Sequence, residues 1–407
     1  METLRFLMIS THYPPYHLGG DAVMVDYLSR ELVRRGHEVH VLHSPSVYES
    51  LRGRGMPNHA SKKEGGPFVH TPPIRGGRLQ LLMTLAFDSS AKSRKETTDL
   101  ARRLKPDVVH WHNTKGFIGR PFAVPGAVSL YTAHDYYLVC PRSNLIRPDM
   151  SFCRKPKACM LCTLRWRKPP QIWRGGNNRV VHPDAGMTVL APSEFLADRL
   201  RRDGIKVDHI LRNFVPDIGS VSSGPRPRRD SIAYVGMLEP HKGSQSLLEA
   251  FANTRDRQQF KLHIIGEGSL RKRLVERAKE LGLRDRVNIP GFIPREDVKS
   301  KLSDVAFLVV PSEWPENAPL TVLEAFSLGV PVLGSDNGGL PEILGPGSGS
   351  TTFKEGDVAA LGEALVSMWK GDKDLDAMSR KAREAYETRF SPETHIAQYL
   401  AIVLKMI

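Results

Sequence analysis

The sequence of 407 residues lacks several features that would place it in a special class of protein. No apolar run reaches the ~18 residues that a membrane-spanning helix needs. No internal repeat or heptad pattern indicates a solenoid or a coiled coil. The N-terminal segment METLRFLMIS enters a strand pattern at once and lacks the small-residue cleavage site of a signal peptide. We therefore expect a globular protein of the cytoplasm.

Acidic residues are scarce in the N-terminal half. Residues 1–216 contain 33 Lys and Arg but 18 Asp and Glu, whereas the remainder is nearly balanced with 25 and 26. This basic excess is either a solubilising surface or a surface that meets an acidic partner, such as the anionic inner face of a membrane or a phosphorylated acceptor. No nucleic-acid-binding motif occurs, so nucleic acid is not an expected partner.

Cysteine is rare and confined to one segment. The four cysteines are Cys140, Cys153, Cys159 and Cys162. Their spacing includes one Cys-x2-Cys pair, and four thiolates can form a tetrahedral zinc site that would organise a loop of low apolar content. Disulfides are not expected in the cytoplasm. A structural zinc ion, an iron–sulfur cluster and free thiols remain open as alternatives.

A basic segment with two tryptophans follows the cysteines. Its residues are Arg165, Trp166, Arg167, Lys168, Trp173 and Arg174. Such a patch suits a lipid headgroup surface or a sugar acceptor, and the alternative is a solvated loop with two packed tryptophans.

The length and the pattern of apolar runs predict two α/β domains. In both halves, strand-like apolar runs alternate with amphipathic helices, which is typical of doubly wound parallel sheets with ligands at the carboxyl ends of the strands. We expect an N-terminal, acceptor-side domain over residues 1–216, with a cysteine-containing insertion at about 140–175. A polar linker over 217–228 and a donor-binding domain over 229–390 would follow.

The stretch over residues 311–342 carries the strongest functional signal. VAFLVV before it and PVLGSD within it predict parallel strands, joined by a short helix with Asn317 as N-cap and Gly329 after its last turn. The N–H groups at the start of this helix suit a phosphate. Glu316 precedes the helix and Glu324 lies about two turns along it, so the two carboxylates could contact different parts of one ligand.

This stretch resembles the E-x7-E signature of retaining glycosyltransferases of family 4, which have the GT-B fold. The matching residues are Pro311, Ser312, Glu316, Pro319, Thr321, Glu324, Ala325, Gly329, Pro331, Val332, Gly338, Gly339, Pro341 and Glu342. The resemblance implies two Rossmann-like domains that face a central cleft, with a C-terminal helix over 391–407 that crosses back to the first domain. It also suggests membership of a subgroup with a four-cysteine insertion.

The resemblance implies a reaction as well as a fold. A sugar would pass from a UDP- or GDP-type nucleotide sugar to a glycan, a lipid-linked acceptor or a small molecule, with retention of configuration and without a metal. The leaving diphosphate would itself help to deprotonate the acceptor, so catalysis would depend on positioning and on electrostatic stabilisation. No cofactor is expected to be required.

The catalytic residues implied by the resemblance are His134, Glu316 and Lys242. His134 lies in an His-Asp pair at the end of the strand pattern AVSLYTAHD and would approach the transferred sugar. Lys242 would contact the diphosphate and Glu316 would face the donor sugar. Where the family usually has an arginine, this chain has Met237, so Arg295 or an arginine of the first domain would have to replace it.

Donor binding involves a larger set of residues. Glu324 would bind the ribose hydroxyls. The other implied positions are Gly19 and Gly20 in a glycine-rich turn, Gly266, Glu267, Phe292, Ile293, and the backbone of Asn317, Ala318, Pro319, Leu320 and Thr321. Two alternatives stay open: a catalytically weak nucleotide-binding scaffold of the same fold, which Met237 favours, and a GT-B phosphorylase that uses inorganic phosphate.

Overall fold

The chain divides into two compact units. The computed structural model describes residues 2–17, 19–52, 65–72, 77–88, 91–154, 158–174, 180–219, 230–254, 260–370 and 374–407. Unit 1 consists of Met1–Arg212 and His395–Ile407, and unit 2 of Asn213–Thr394. Most of the predicted linker, from residue 220 onward, lies outside the described residues.

Unit 1 is built on a seven-stranded parallel sheet in the order β3-β2-β1-β4-β5-β6-β7. The strands are β1 Arg5–Ile9, β2 Glu38–Leu42, β3 Phe68–His70, β4 Val108–Trp111, β5 Val128–Thr132, β6 Met187–Ala191 and β7 His209–Ile210. The first six helices are α1 Gly20–Arg34, α2 Pro45–Arg52, α3 Gly77–Phe87, α4 Ala91–Leu104, α5 Cys159–Arg165 and α6 Glu194–Arg202. β1 and β4 are apolar nearly throughout because helices cover both faces of a parallel sheet. The strand order reverses between β1 and β4, which is where such folds bind ligands.

Unit 2 repeats this design with a six-stranded parallel sheet in the order β10-β9-β8-β11-β12-β13. The strands are β8 Ser231–Val235, β9 Lys261–Ile265, β10 Val287–Gly291, β11 Leu308–Val310, β12 Val332–Ser335 and β13 Thr351–Phe353. The helices are α7 Ser244–Asn253, α8 Arg271–Glu280, α9 Arg295–Ser303, α10 Leu320–Ser327, α11 Leu340–Ile343, α12 Val358–Lys370 and α13 Leu375–Ala385. Its strand order reverses between β8 and β11.

The chain returns to unit 1 at its end. The last helix, α14 Pro392–Leu404, places the Tyr399 hydroxyl 3.0 Å from His110 Nδ1 and the Tyr399 ring 6.0 Å from the ring of Phe6. In unit 2, the Val215 N–H donates to the carbonyl oxygen of Phe390 at 3.4 Å. The structure therefore ends the first part of unit 1 at residue 212 rather than at the expected 216, because the following residues pack in unit 2.

The helix of the 311–342 stretch begins later than predicted. α10 starts at Leu320, Pro319 occupies the N-cap position without a side-chain cap, and the prediction of Asn317 as N-cap is wrong. Proline disfavours the helical conformation for the residue before it. Pro319 therefore keeps Ala318, and with it Asn317, out of the helix. Gly329 lies in the left-handed region, with a φ of 60°, just after the last turn.

The described residues include no helix that is long and apolar enough to cross a bilayer.

Candidate functional site

The carboxyl ends of the unit 2 strands bring the predicted donor-binding residues to one edge of the sheet. Lys242 follows β8, Gly266 and Glu267 follow β9, Phe292 and Ile293 follow β10, and Glu316 follows β11. Because β8 and β11 are the neighbours at which the strand order reverses, Lys242 and Glu316 flank the switch point of this sheet.

An ion pair joins the two sides of this switch point. Lys242 Nζ donates to Glu316 Oε1 at 2.6 Å, and the two side chains are 16% and 12% exposed. Ser312 Oγ also donates to Glu316 Oε1, at 3.1 Å, and Lys242 Nζ lies 4.8 Å from the centre of the Trp314 ring. Reduced contact with water strengthens electrostatic interactions, so this lysine is well placed to attract an anionic ligand in competition with Glu316.

Two glycines allow the close approach that forms this pair. Gly243 has a φ of 72°, and a Cβ there would lie 1.8 Å from the carbonyl oxygen of Pro311. Gly338 has a φ of 68°, and its Cβ would lie 2.4 Å from the carbonyl oxygen of Glu316. The segment after β8 and the β12–α11 loop therefore both pack against the loop that carries Glu316.

A second ion pair involves Glu324 in α10. This residue is buried, and Arg295 Nη2 donates to its Oε1. Burial raises the pKa of Glu324, while the charge of Arg295 and its hydrogen bond oppose that rise. Arg295 was one expected replacement for the arginine missing at Met237, but in this structure it is the partner of Glu324. The side chain of Met237 itself is about half exposed.

The β9 and β10 loops line the same edge. Gly266 has a φ of 146°, and a Cβ there would lie 1.8 Å from the carbonyl oxygen of Gly236 in the neighbouring loop. Glu267 Oε1 accepts from the N–H of Phe292 at 3.2 Å. Phe292 is 65% exposed, and Ile293 is partly exposed, so an apolar surface lies next to that backbone.

The α10 entry loop is fixed at two of its carbonyl groups. The Ala318 oxygen accepts from Asn213 Nδ2 at 3.2 Å, and the Glu316 oxygen accepts from the Gly339 N–H at 2.6 Å. Asn317 is buried in this loop. Leu320 and Thr321, not Asn317, form the first turn of the helix, so the positive end of its dipole lies at these residues.

The switch point of unit 1 carries a different set of groups. α1 begins at Gly20 with Gly19 as its N-cap residue, and Asp21 stands in its first turn. Asn113, which follows β4, donates from Nδ2 to Asp21 Oδ2 at 2.9 Å. The sequence interpretation missed Asp21 and Asn113. Asp21 adds a carboxylate at the glycine turn where diphosphate contact was expected.

Three histidines extend from the core of unit 1 to its carboxyl edge. His134 Nε2 lies 2.9 Å from His112 Nδ1, and the His112 ring lies 4.0 Å from that of His110. His110 in turn contacts Thr132 Oγ1 at 2.8 Å and the Tyr399 hydroxyl at 3.0 Å. Burial lowers the pKa of all three histidines, so they are neutral near pH 7. The alternation of side chains in a strand could have indicated that His110 and His112 share a face.

A partly exposed lysine, Lys115, lies near Asp135, the residue that follows His134. Burial raises the pKa of Asp135 to about 6, while the positive charge of Lys115 opposes that rise. Lys115 Nζ donates to Ser143 Oγ at 3.2 Å, and burial lowers the pKa of Lys115. Lys115 was not predicted as a site residue, although it is the one charged residue in the segment HNTKGFIG.

The four cysteines surround a common cavity. Cys140, Cys153, Cys159 and Cys162 are not joined in disulfide bonds, and all four line a cavity of about 210 Å³ together with Arg142 and other residues. Within the described ranges, no group of three or more His, Cys, Asp or Glu side chains is arranged to hold a metal ion. Thiolates are ligands that zinc accepts, but the four cysteines are not arranged around a metal position in the described residues, and zinc remains a prediction.

Two members of the predicted basic, aromatic patch are structural. Arg174 is buried and donates from Nη2 to the carbonyl oxygen of Tyr137 at 2.7 Å. Trp173 Nε1 donates to the carbonyl oxygen of Leu85 at 3.0 Å, which ties this segment to α3. The guanidinium of Arg142 lies over the ring of Trp166, with its Cζ 3.7 Å from the ring centre. Trp173 and Arg174 therefore hold the segment in place.

Family models match both parts of the chain. Residues 220–385 match glycosyl transferases group 1, and residues 18–215 match Glycosyltransferase Family 4. The chain belongs to the GT-B glycosyltransferases of the family 4 kind. This confirms the family resemblance and the fold class, whereas the role of the E-x7-E pair and the cysteine-containing subgroup stay predictions.

Curated relatives of this glycosyltransferase include bacterial enzymes of several kinds. A putative colanic acid biosynthesis glycosyltransferase, WcaL of Escherichia coli, is 27% identical over 54% of this chain, and the match spans 57% of that relative. N-acetyl-alpha-D-glucosaminyl L-malate synthase of Bacillus anthracis is 21% identical, with 96% of this chain and 95% of the relative covered.

Solved structures of the same fold cover nearly the whole glycosyltransferase. Anabaena HepE in complex with UDP has a TM-score of 0.67 at 16% identity, with both chains fully covered. Sucrose-phosphate synthase from Thermosynechococcus elongatus has a TM-score of 0.72 at 18% identity, with 99% of each chain covered. At these identities the likeness establishes the fold alone.

Proposed function

We propose that this protein transfers a sugar, with retention of configuration, from a UDP- or GDP-type nucleotide sugar to a glycan, a lipid-linked acceptor or a small molecule. The observation that carries the proposal is the Lys242–Glu316 ion pair at the switch point of unit 2. Two similar proteins support it: WcaL is a putative colanic acid biosynthesis glycosyltransferase, and HepE, which has the same fold, was solved in complex with UDP.

The ion pair provides a way to bind both ends of a sugar–phosphate bond. A diphosphate that binds Lys242 Nζ would replace the Glu316 carboxylate as the partner of this lysine. The carboxylate could then accept hydrogen bonds from sugar hydroxyls. The first turn of α10, at Leu320 and Thr321, would supply further N–H donors for the phosphates. Glu324, held by Arg295, would accept from the ribose hydroxyls.

The same residues account for catalysis without a metal. Lys242 and the helix N-terminus would stabilise the charge that develops on the leaving diphosphate. The diphosphate oxygen would take the acceptor proton, and His134 of unit 1 would hydrogen-bond the transferred sugar. A nucleophile and acid pair of carboxylates, as in glycosidases, is not part of this proposal because Glu324 is assigned to the ribose.

The test is a screen for turnover. The protein is incubated with UDP-, GDP- and ADP-sugars and candidate acceptors, and release of free nucleoside diphosphate is measured. Lys242→Ala and Glu316→Ala should each lower the rate by roughly 100-fold, since each removes a charged partner of the reacting groups. Lys279→Ala, an exposed lysine of α8, is the matched control.

Other outcomes of the same screen identify the alternatives. Wild-type rates in both site variants would contradict the proposed site. Tight nucleotide binding without turnover of any donor would favour the scaffold, and phosphate-dependent cleavage of a disaccharide would favour the phosphorylase.

A structural zinc ion at the four cysteines is a further part of the proposal. It is supported by their common cavity and by Arg142, whose Nη1 is buried without a hydrogen-bond partner among the described residues. Four thiolates around Zn²⁺ carry a net charge of about −2, which a guanidinium would offset. Elemental analysis should find one zinc per chain, and no thiol should react until the zinc is removed.

The cysteine test is unambiguous because the chain has four cysteines in all. Cys140→Ser and Cys159→Ser should abolish zinc binding, whereas Ser143→Ala should not. Four reactive thiols and no bound zinc in wild-type protein purified without a chelator would support free thiols, and bound iron with sulfide would support a cluster. Either result would exclude zinc.

A cytoplasmic location with peripheral attachment at the inner membrane face completes the proposal. α3 exposes apolar side chains at helical spacing, namely Leu79, Leu82, Met83 and Phe87, in the half of the chain with the basic excess. Such a helix suits the surface of an anionic bilayer.

Flotation with vesicles tests this attachment. Phosphatidylglycerol vesicles should carry the protein and phosphatidylcholine vesicles should not. Leu82→Glu with Phe87→Glu should abolish flotation, whereas Leu404→Glu, a similarly exposed leucine of α14, should not. Equal flotation of all variants would contradict a role for α3.

A further inference from the structure

His112 has no role in the function proposed above, yet it is the direct partner of His134. It is buried, and its Nδ1 lies 2.9 Å from His134 Nε2. Two neutral imidazoles at this distance share one proton in an N–H···N hydrogen bond. Which ring donates decides where the other ring carries its own proton.

The surroundings of the second nitrogen of His112 identify the donor. His112 Nε2 is buried and has no hydrogen-bond partner among the described side chains and backbone. An N–H group buried without an acceptor is rarely tolerated, whereas an unused lone pair on a ring nitrogen costs less. The proton of His112 therefore belongs on Nδ1, and His112 donates to His134.

We propose that His112 is a positioning residue that holds His134 as its Nδ1–H tautomer. Because His134 Nε2 accepts from His112, the neutral His134 ring has to carry its proton on Nδ1. In this tautomer Nδ1 is the only nitrogen through which the neutral His134 ring can donate, so any donation to the sugar would come from Nδ1. This last step rests on the proposed function, but the tautomer assignment does not.

The strands around His112 hold its ring in place. The backbone N–H of His112 donates to the carbonyl oxygen of Ile9 at 2.9 Å, which fixes the residue at the end of β4. Its ring lies 4.0 Å from that of His110, which is itself held by Thr132 and Tyr399. A rotation of His112 away from His134 would have to disturb this packed row.

Nuclear magnetic resonance on protein labelled with ¹⁵N-histidine tests the tautomer directly. In the wild type, long-range ¹H–¹⁵N correlations should show His134 protonated on Nδ1 and unprotonated on Nε2, with signals assigned by His112→Ala and His134→Ala. A wild-type His134 protonated on Nε2 would overturn the proposal, whether or not any donor is turned over.

Kinetics of His112 variants test the positioning role. His112→Ala should lower kcat roughly tenfold, the effect of one lost hydrogen bond, with little change in KM for the donor. His112→Asn should restore most of the rate, because its amide N–H can donate from nearly the position of Nδ1. His209→Ala, an exposed histidine of β7, is the control.

The two readouts keep the proposal separate from the proposed function. If no donor is turned over, the proposed function fails while the resonance experiment still decides the tautomer. If His112→Ala does not fold, the wild-type spectrum still shows which nitrogen of His134 is protonated. An unchanged His134 tautomer in a folded His112→Ala variant would contradict the role of His112.

Discussion

The two units use the same parallel-sheet design but place opposite kinds of chemistry at the carboxyl edges of their sheets. In unit 2, the point between β8 and β11 holds the charged pair Lys242–Glu316. In unit 1, the row His110, His112 and His134 is kept neutral by burial. The fold determines where a ligand can bind, and the side chains at the strand ends determine which ligand groups they can contact.

Net charge gives no guide to this difference. The basic excess lies in the N-terminal half of the sequence, whereas the cation proposed to bind phosphate is in the nearly neutral second half. The net charge of a domain reflects its surface and its long-range attraction of ligands, while a site depends on a few partly buried groups.

The largest effect is expected for the backbone packing that forms the charged pair. Gly243→Ala should destabilise unit 2 by about 4 kcal/mol, since a Cβ would clash with the carbonyl oxygen of Pro311 at a positive φ. Gly282→Ala is a matched control, with a φ of 69° and no atom within 4 Å of its Cβ, and should cost about 1 kcal/mol. Urea unfolding measures both values, and equal losses would contradict this account of the site.

As the pH falls, unit 1 should lose stability and unfold before unit 2. Burial lowers the pKa of His43 and of His395 to about 4, so the unfolded chain binds protons that the folded unit does not. The stability that these residues contribute is present above about pH 6.5 and is lost as the pH falls, on the order of 1 kcal/mol each by pH 5.5. Burial also lowers the pKa of His263 in unit 2, so that residue contributes a loss of stability in acid there as well.

The carboxyl group of Asp135 in unit 1 acts in the opposite direction. The pKa of Asp135 is raised to about 6, so its unfavourable ionisation is relieved as the pH falls through that value. Limited proteolysis at pH 7.5 and 5.5 measures the net result. Cleavage should increase first within residues 1–212, and earlier cleavage within residues 213–394 would contradict the contrast.

Substitution in the neutral histidine row should lower kcat but leave the affinity for the nucleotide unchanged. His134→Ala should lower kcat by roughly 30-fold, or about 2 kcal/mol, because it removes a hydrogen-bond donor to the reacting sugar. The affinity for the free nucleoside diphosphate should stay within about twofold of the wild type. A loss of nucleotide affinity with unchanged kcat would assign His134 to donor binding instead.

The smallest effect is expected at the second carboxylate of unit 2. Glu324→Gln keeps the side-chain shape but replaces a charged acceptor, so the affinity for UDP or GDP should fall by roughly fivefold, about 1 kcal/mol. The loss should vanish with 2′,3′-dideoxynucleotides, which lack the hydroxyls. Glu276→Gln, an exposed residue of α8, is the control, and an equal loss with the dideoxy analogues would rule out ribose recognition.

The fold and the elements of unit 2 were accessible from the sequence because they depend on local patterns. Apolar runs of strand length, each followed by glycine and polar residues, place Lys242, Glu267 and Glu316 at strand ends without knowledge of contacts. The start of α10 was misjudged because Asn317 is a good N-cap in isolation, whereas Pro319 restricts the residue before it.

The pairings in unit 1 were not accessible because they depend on register between distant strands. His112 meets His134, and Asn113 meets Asp21, only when β4 lies beside both β1 and β5. A sequence pattern gives the type and order of elements, but not the register between neighbouring strands. The burial of Arg174 depends on its distant partner, the carbonyl oxygen of Tyr137, so it could not be predicted from a segment rich in exposed basic residues.

The most direct test of the central claim is a calorimetric titration of Lys242→Ala with nucleoside diphosphates and nucleosides. The account predicts that the affinity for UDP or GDP falls by roughly 10- to 100-fold, that binding of uridine or guanosine is unchanged, and that Lys279→Ala behaves as wild type. Wild-type affinity of Lys242→Ala for both diphosphates would contradict the claim that this lysine binds the leaving group.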